Sequence, residues 1–175
     1  MARSSGNKAR LSSDSIRVFG DPVLKQVCKE ITELGPELDR LSKLMFEVMD
    51  REGGIGLAGP QIGIQRKIMV WRHPETEQGY VLLNPRIVER SAETVTASEG
   101  CLSLPGHSME VERAERVAVE ALDLRGDPIR IEATGLLARI MQHEIDHLEG
   151  HIILDRTSPD ERRRVLKDLR DTMEP

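Results

Sequence analysis

Aromatic residues make up only 2% of this 175-residue sequence, and cysteine occurs twice, as Cys28 and Cys101. Two cysteines so far apart are no disulfide framework, so the fold must be held by its own core, and a reducing, cytoplasmic setting is expected. No run approaches the ~18 apolar residues that a membrane helix requires, and the polar N-terminus has no apolar stretch of the secretory kind. There is no basic excess either: a net charge of -5 gives no ground for DNA or general nucleic-acid binding. What the chain does have is length enough for one domain with a core of ordinary size. Met1 to Ser15 holds Arg3, Lys8 and Arg10 among serines, a composition that transit peptides share. The plainer reading is a flexible tail over residues 1–14, with organellar import the lesser expectation.

Beyond that tail, Asp21-Pro22 opens a short helical segment carrying Val23, Leu24 and Val27, with Cys28 expected on its packed face. Leu38, Leu41, Leu44, Met45, Val48 and Met49 recur at helical spacing until Gly53-Gly54 ends the pattern. The period then changes. Ile68 to Trp71, Tyr80 to Leu83 and Ile87-Val88 read as short strands separated by turn residues. Val117 to Val119 and Ile129 to Ile131 flank Arg125-Gly126-Asp127-Pro128, a hairpin turn. Ser158-Pro159-Asp160-Glu161 is a capping box opening a C-terminal helix to about Asp171. Helix, strands, helix without βαβ alternation predicts an α+β fold, a single domain of mainly antiparallel sheets around a central helix.

That central helix carries His143-Glu144-Ile145-Asp146-His147. Four residues advance a helix by about 400°, so both imidazoles leave one face and can grip a single metal ion, while Glu144 sits beside them. Leu136, Leu137, Ile140, Met141, Ile145 and Leu148 wrap the helix in apolar side chains, with Thr134 as N-cap and Gly150 as the stop. Such a helix is buried. Two imidazoles and a carboxylate buried without partners would cost several kcal/mol, roughly 1–3 for each unsatisfied group, so partners or a metal are expected.

A catalytic site needs a third protein ligand and an open position. The metzincin arrangement places a third His six residues after the second, where this chain has Ile153. A downstream carboxylate is confined to Glu149, Glu161 and Glu174, and Glu161 already has a capping role. Upstream, Glu99-Gly100-Cys101-Leu102-Ser103 offers a cysteine beside a glycine after a strand-like run; a small buried hydrophobe is the other reading of Cys101. Earlier still, Gly54-Ile55-Gly56-Leu57-Ala58-Gly59-Pro60-Gln61 is too glycine-rich for a helix or strand interior and suits close backbone approach to a ligand.

Together these three segments, with Gln142 before His143, resemble the peptide deformylase family over roughly residues 15 to 155. The resemblance implies a single catalytic domain over 15–175 that removes the N-formyl group from the formyl-methionine of nascent peptides. It implies metal binding by Cys101, His143 and His147, and acid/base work by Glu144. The Gln61 amide and the Leu102 backbone N–H are implied as oxyanion donors, Gly56 as a backbone peptide contact, and Ile55, Leu136 and Ile140 as the methionine pocket. It further implies Fe²⁺, replaceable by Zn²⁺, Ni²⁺ or Co²⁺. Gly59 stands where the family usually has alanine, and Glu112 where a proline is common. Neither is a ligand position.

Two other classes stay open at the level of residues: a peptidase cutting internal bonds, and a protein whose metal staples the fold, for which His107 and His151 are the nearest further ligands. The C-terminal helix carries Arg162, Arg163, Arg164, Lys167 and Arg170 opposite Val165, Leu166 and Leu169. A solvated face is the plain reading, and contact with ribosomal RNA near the exit tunnel is the functional one.

Overall fold

The computed structural model describes residues 15–173; the expected tail over 1–14 lies outside the described residues. The first helix, α1 (Pro36–Arg51), starts with proline at its first position and Glu37 and Asp39 in its first turn, where they complement the helix dipole. Its buried stripe is Leu38, Met45, Val48 and Met49. Gly53, with φ 71°, closes it.

Seven strands follow: β1 (Gly56–Ala58), β2 (Ile68–Arg72), β3 (Gly79–Arg90), β4 (Thr94–Gly100), β5 (Ser108–Ala114), β6 (Arg116–Leu122) and β7 (Pro128–Thr134). They form a five-stranded antiparallel sheet in the order β1-β2-β3-β6-β7 and a two-stranded one, β4-β5. Helix α2 (Gly135–Leu148) comes next, and α3 (Pro159–Met173) ends the described chain. The α+β expectation holds.

The core explains why β2 reads as a continuous apolar run. Ile68 and Val70 pack with Leu38, Met45 and Met49 of α1, whereas Met69 and Trp71 pack with Ala138, Ile140 and Met141 of α2. The strand is buried on both faces, so the alternation of a half-exposed strand is missing. A third cluster docks α3 through Val165 onto Met109, Val111 and Leu154.

Several local expectations need correction. The two runs Tyr80–Leu83 and Ile87–Val88 belong to one strand, β3, bent where its register with β6 shifts between Leu83 and Arg86. Asn84 takes φ 50° there, a region asparagine tolerates, and its amide bonds both the N–H and the C=O of Ile31 at 2.8 Å. Thr134 occupies the N-cap position of α2, but its side chain makes no capping hydrogen bond. Cys28 is buried, yet it lies beyond the 3-10 turn Pro22–Lys25 and packs with Ala58 and Leu148. The Ser158 hydroxyl accepts from the Glu161 N–H at 3.2 Å as predicted, and α3 runs two residues past Asp171.

Candidate metal centre

Helix α2 holds His143 and His147 one turn apart with their Nε2 atoms 3.3 Å from each other. Cys101 enters from the turn that directly follows β4, and its Sγ lies 3.3 Å from His147 Nε2. The three side chains place one ligand atom each within 4.8 Å of one another. A tetrahedral ion with metal–nitrogen bonds near 2.05 Å and a metal–sulfur bond near 2.3 Å separates its ligands by about 3.4 Å (N to N) and about 3.6 Å (S to N). The donor set therefore fits one divalent cation in both spacing and softness.

Electrostatics agrees with the geometry. Burial disfavours charge on His143, but hydrogen bonds to Cys101 and Glu99 and the nearby Glu144 charge overcome it and raise its pKa well above the ordinary value. Burial, reinforced by His143 and Arg113, drives His147 well below that value. One ring thus holds a proton among three inward-facing donors, the place that a cation takes when it displaces that proton.

Glu144 is 4% exposed, and its Oε2 is buried with no hydrogen-bond partner among the described residues. Burial pushes its pKa up to about 7, against the pull of His143. The backbone of Gly56 covers the other oxygen: a Cβ built there would lie 2.5 Å from Glu144 Oε1. A side chain at 56 would therefore push the carboxylate beside it out of its present position.

Gln61 is 1% exposed. Its Oε1 accepts from the Ala58 N–H at 2.9 Å, which turns Nε2 toward Ser103 Oγ at 3.3 Å and Cys101 Sγ at 3.8 Å. Leu102 sits half-buried beside the cysteine. Gly56, Gln61, Cys101, Leu102, His143 and Glu144 line a cavity of about 730 Å³, as do Ile55, Leu136 and Ile140, whereas the buried His147 does not. Ile140 is buried, whereas Ile55 and Leu136 are 44% and 52% exposed at its mouth. His151 is exposed, and His107 bonds its own loop through Pro105 O at 3.1 Å. Neither stands in the Cys101/His143/His147 group.

Sequence reasoning passed over three supports. Glu99 accepts from His143 Nδ1 at 2.9 Å and from Arg113 at 2.7 and 3.0 Å, fixing which nitrogen of His143 faces inward. Burial opposes its charge, but the His143 and Arg113 bonds hold its carboxyl well below the usual range. Arg113 itself is 6% exposed. Gln142 bonds the N–H and C=O of Ala114 at 3.1 and 2.9 Å, stapling α2 to β5. The available signal was a glutamine and a glutamate inside two motifs already singled out.

The sequence model of the family described as polypeptide deformylase matches residues 13–163. The chain belongs to that family. It is 42% identical over 156 residues to peptide deformylase 2 of Streptomyces avermitilis, covering 87% of this chain and 83% of that protein. Against the peptide deformylase of Thermodesulfovibrio yellowstonii the identity is 45% over 147 residues, covering 82% and 88%. The crystal structure of a peptide deformylase from Synechococcus elongatus in complex with actinonin superposes with a TM-score of 0.85 at 38% identity, covering 89% of this chain and 86% of that one. The Thermotoga maritima peptide deformylase structure gives 0.79 at 42%, covering 82% and 97%. The chain is accordingly an enzyme of a metal-dependent hydrolase family, with a cysteine and two histidines able to hold the ion.

The two departures from the family pattern are accommodated locally. A Cβ at Gly59 would meet the carbonyl oxygens of Ile64 and Arg66 at 2.8 Å, so here the loop after the 3-10 turn Gly59–Ile62 closes over a bare Cα. Glu112 is exposed on β5, opposite Thr96, between the inward-facing Val111 and Arg113.

Proposed function

We propose that this enzyme removes the N-formyl group from the N-terminal formyl-methionine of newly synthesised proteins, releasing formate, with the ion held by Cys101, His143 and His147. The observation that carries the reading is Glu144, whose Oε2 is buried without a partner among the described residues and whose side chain borders the same cavity as Cys101 and His143. When bound, a divalent cation supplies Lewis acidity and brings the pKa of a coordinated water toward about 7.

The chain's own groups do the rest. Glu144 takes a proton from water and returns it to the departing amine, a cycle suited to a carboxyl with a pKa of about 7. The Gln61 amide, oriented through Ala58, and the Leu102 N–H donate to the oxyanion that forms at the formyl carbon. Gly56 ends the five-stranded sheet and β4 belongs to the other, and both border the cavity. A peptide laid in extended form against the free edge of β1 passes Glu144 closely because Gly56 has no side chain. Ile55, Leu136 and Ile140 then receive the methionine side chain.

Formate release from formyl-Met-Ala-Ser tests this, comparing the native chain with Glu144→Gln at equal metal content. The variant is expected to lose about 10²- to 10⁴-fold in kcat. Equal rates would refute the role given to Glu144, and cleavage inside an unformylated peptide would favour a peptidase. Fe²⁺ as the native ion rests on family resemblance, since the donor set suits zinc as well. With iron, activity decays in air and persists after nickel substitution; equal persistence of both forms argues for another metal.

Ribosome contact through α3 has less support than its solvated reading. Arg162 pairs with Asp155 at 3.2 Å, Arg163 with Asp160, and Arg164 with Glu161 at 3.3 Å and Asp168 at 3.6 Å. Three of the five basic residues of the stripe are thus paired with neighbouring carboxylates.

A further inference from the structure

The two histidines of the centre have the same task but unequal support. His147 Nδ1 is buried without a partner among the described residues, so no polar group there holds that ring from the side away from Cys101 and His143. His143 Nδ1 bonds Glu99 Oε2 at 2.9 Å, and everything then depends on what holds Glu99.

A carboxylate offers about four acceptor sites. At Glu99 three are filled by arginine: Oε1 takes Arg113 Nε at 2.7 Å and Arg139 Nη1 at 2.7 Å, and Oε2 takes Arg113 Nη2 at 3.0 Å. The fourth receives His143. The two guanidinium groups are themselves tied to different elements. Arg113 Nη1 bonds Asp146 at 2.6 Å, and Asp146 is gripped from the other side by Arg156 at 2.7 and 3.1 Å. Arg139 Nη1 and Nη2 bond the Val111 and Val95 carbonyls at 2.9 and 2.7 Å, which joins the helix to both strands of the β4-β5 sheet.

We propose that Arg113 and Arg139 are positioning residues for the metal centre: by saturating Glu99 from three sides they leave its one remaining acceptor aimed at His143 Nδ1. The carboxylate can neither rotate nor recruit another donor, so the imidazole keeps the tautomer and tilt that turn Nε2 toward Cys101 and His147. Arg139 also lines the cavity, one helical turn before His143, so the same side chain forms the cavity wall and steadies the ligand ring. This inference rests on the metal reading of the site and is independent of the substrate.

The test reads metal affinity, by competition of the purified chain with a chromophoric chelator for Zn²⁺. Arg113→Lys, which cannot span both oxygens of Glu99, is expected to weaken binding about 10- to 100-fold. Arg139→Leu, at a site that is 12% exposed and thus safer for folding, is expected to weaken it by a smaller factor. A lysine variant that fails to fold therefore leaves the leucine variant to decide. Because both residues act through Glu99, their effects should vanish in a Glu99→Ala background, whereas a merely structural role would lower melting temperature and add independently. Unchanged Zn²⁺ affinity in Arg139→Leu, additivity with Glu99→Ala, or no Zn²⁺ binding by the native chain would each overturn the proposal. Zn²⁺ affinity that responds as expected in a chain that releases no formate would instead overturn the proposed function alone.

Discussion

A carboxyl whose proton is lost only near pH 7 stabilises the fold below that pH and not above it. Glu144 has its folded pKa raised from 4.5 to about 7, so between those values the folded chain binds more protons than the unfolded one. Stability of the metal-free protein then falls as pH rises through this window, by roughly 3 kcal/mol at most for this group. Glu144→Gln abolishes the titration while keeping the shape. In chelator-treated protein at pH 8 the variant should melt above the native chain, and the two should converge toward pH 4.5. A native chain as stable as the variant at pH 8 would show that Oε2 is solvated. The same carboxylate is approached closely by Gly56, a contact invisible in sequence because the two residues are 88 positions apart. His143 and His147 were readable from their spacing on one helix face and Cys101 from the family resemblance; Glu99 and Arg113 were not, since a charged pair in a strand pattern looks like an exposed one.

Among the elements, those with a clear period were legible and those built on buried charge were not. Helices α1 and α2 announce themselves through apolar spacing and end at glycines of positive φ, Gly53 and Gly150. The hairpin of β6 and β7 follows from its turn. Strand β5 was hidden because its inward residues are Met109, Val111 and Arg113, so that alternation is broken by the guanidinium that reaches Glu99. Strand β1 was hidden by its length of three residues and its glycine. Gln142 joins two of these elements by mimicking a strand partner for Ala114, which is why a buried amide sits beside the first ligand. Gln142→Leu leaves the Ala114 N–H and C=O unsatisfied in the core, at about 1–3 kcal/mol each. The expected outcome is a drop in melting temperature together with faster amide exchange at β5; exchange confined to α2 would mean that the staple is not what seats the strand.

The molecule as an assembly of sheets explains what a cation does beyond chemistry. The five-stranded sheet is sandwiched between α1 and α2 and has its own two clusters of apolar side chains. The β4-β5 pair has no strand partner in that sheet and is held to α2 through Glu99, Arg113, Arg139 and Gln142. Cys101 follows β4 and the two histidines lie on α2, so an ion bound by all three adds a direct tie between the smaller sheet and the helix. Ligand binding to the folded state alone stabilises it by about 2.7 kcal/mol at a hundredfold excess over Kd, or roughly 5–10 °C for a domain of this size. Chelation should therefore lower the melting temperature by that order. The loss should be uneven: hydrogen exchange is expected to accelerate first in β4, β5 and the turn at Cys101, while β2, β3 and β6 keep their protection. Uniform acceleration across both sheets would mean that the fold opens as one unit, and that the ion stabilises the whole core instead of fastening the β4-β5 hairpin to the helix behind it.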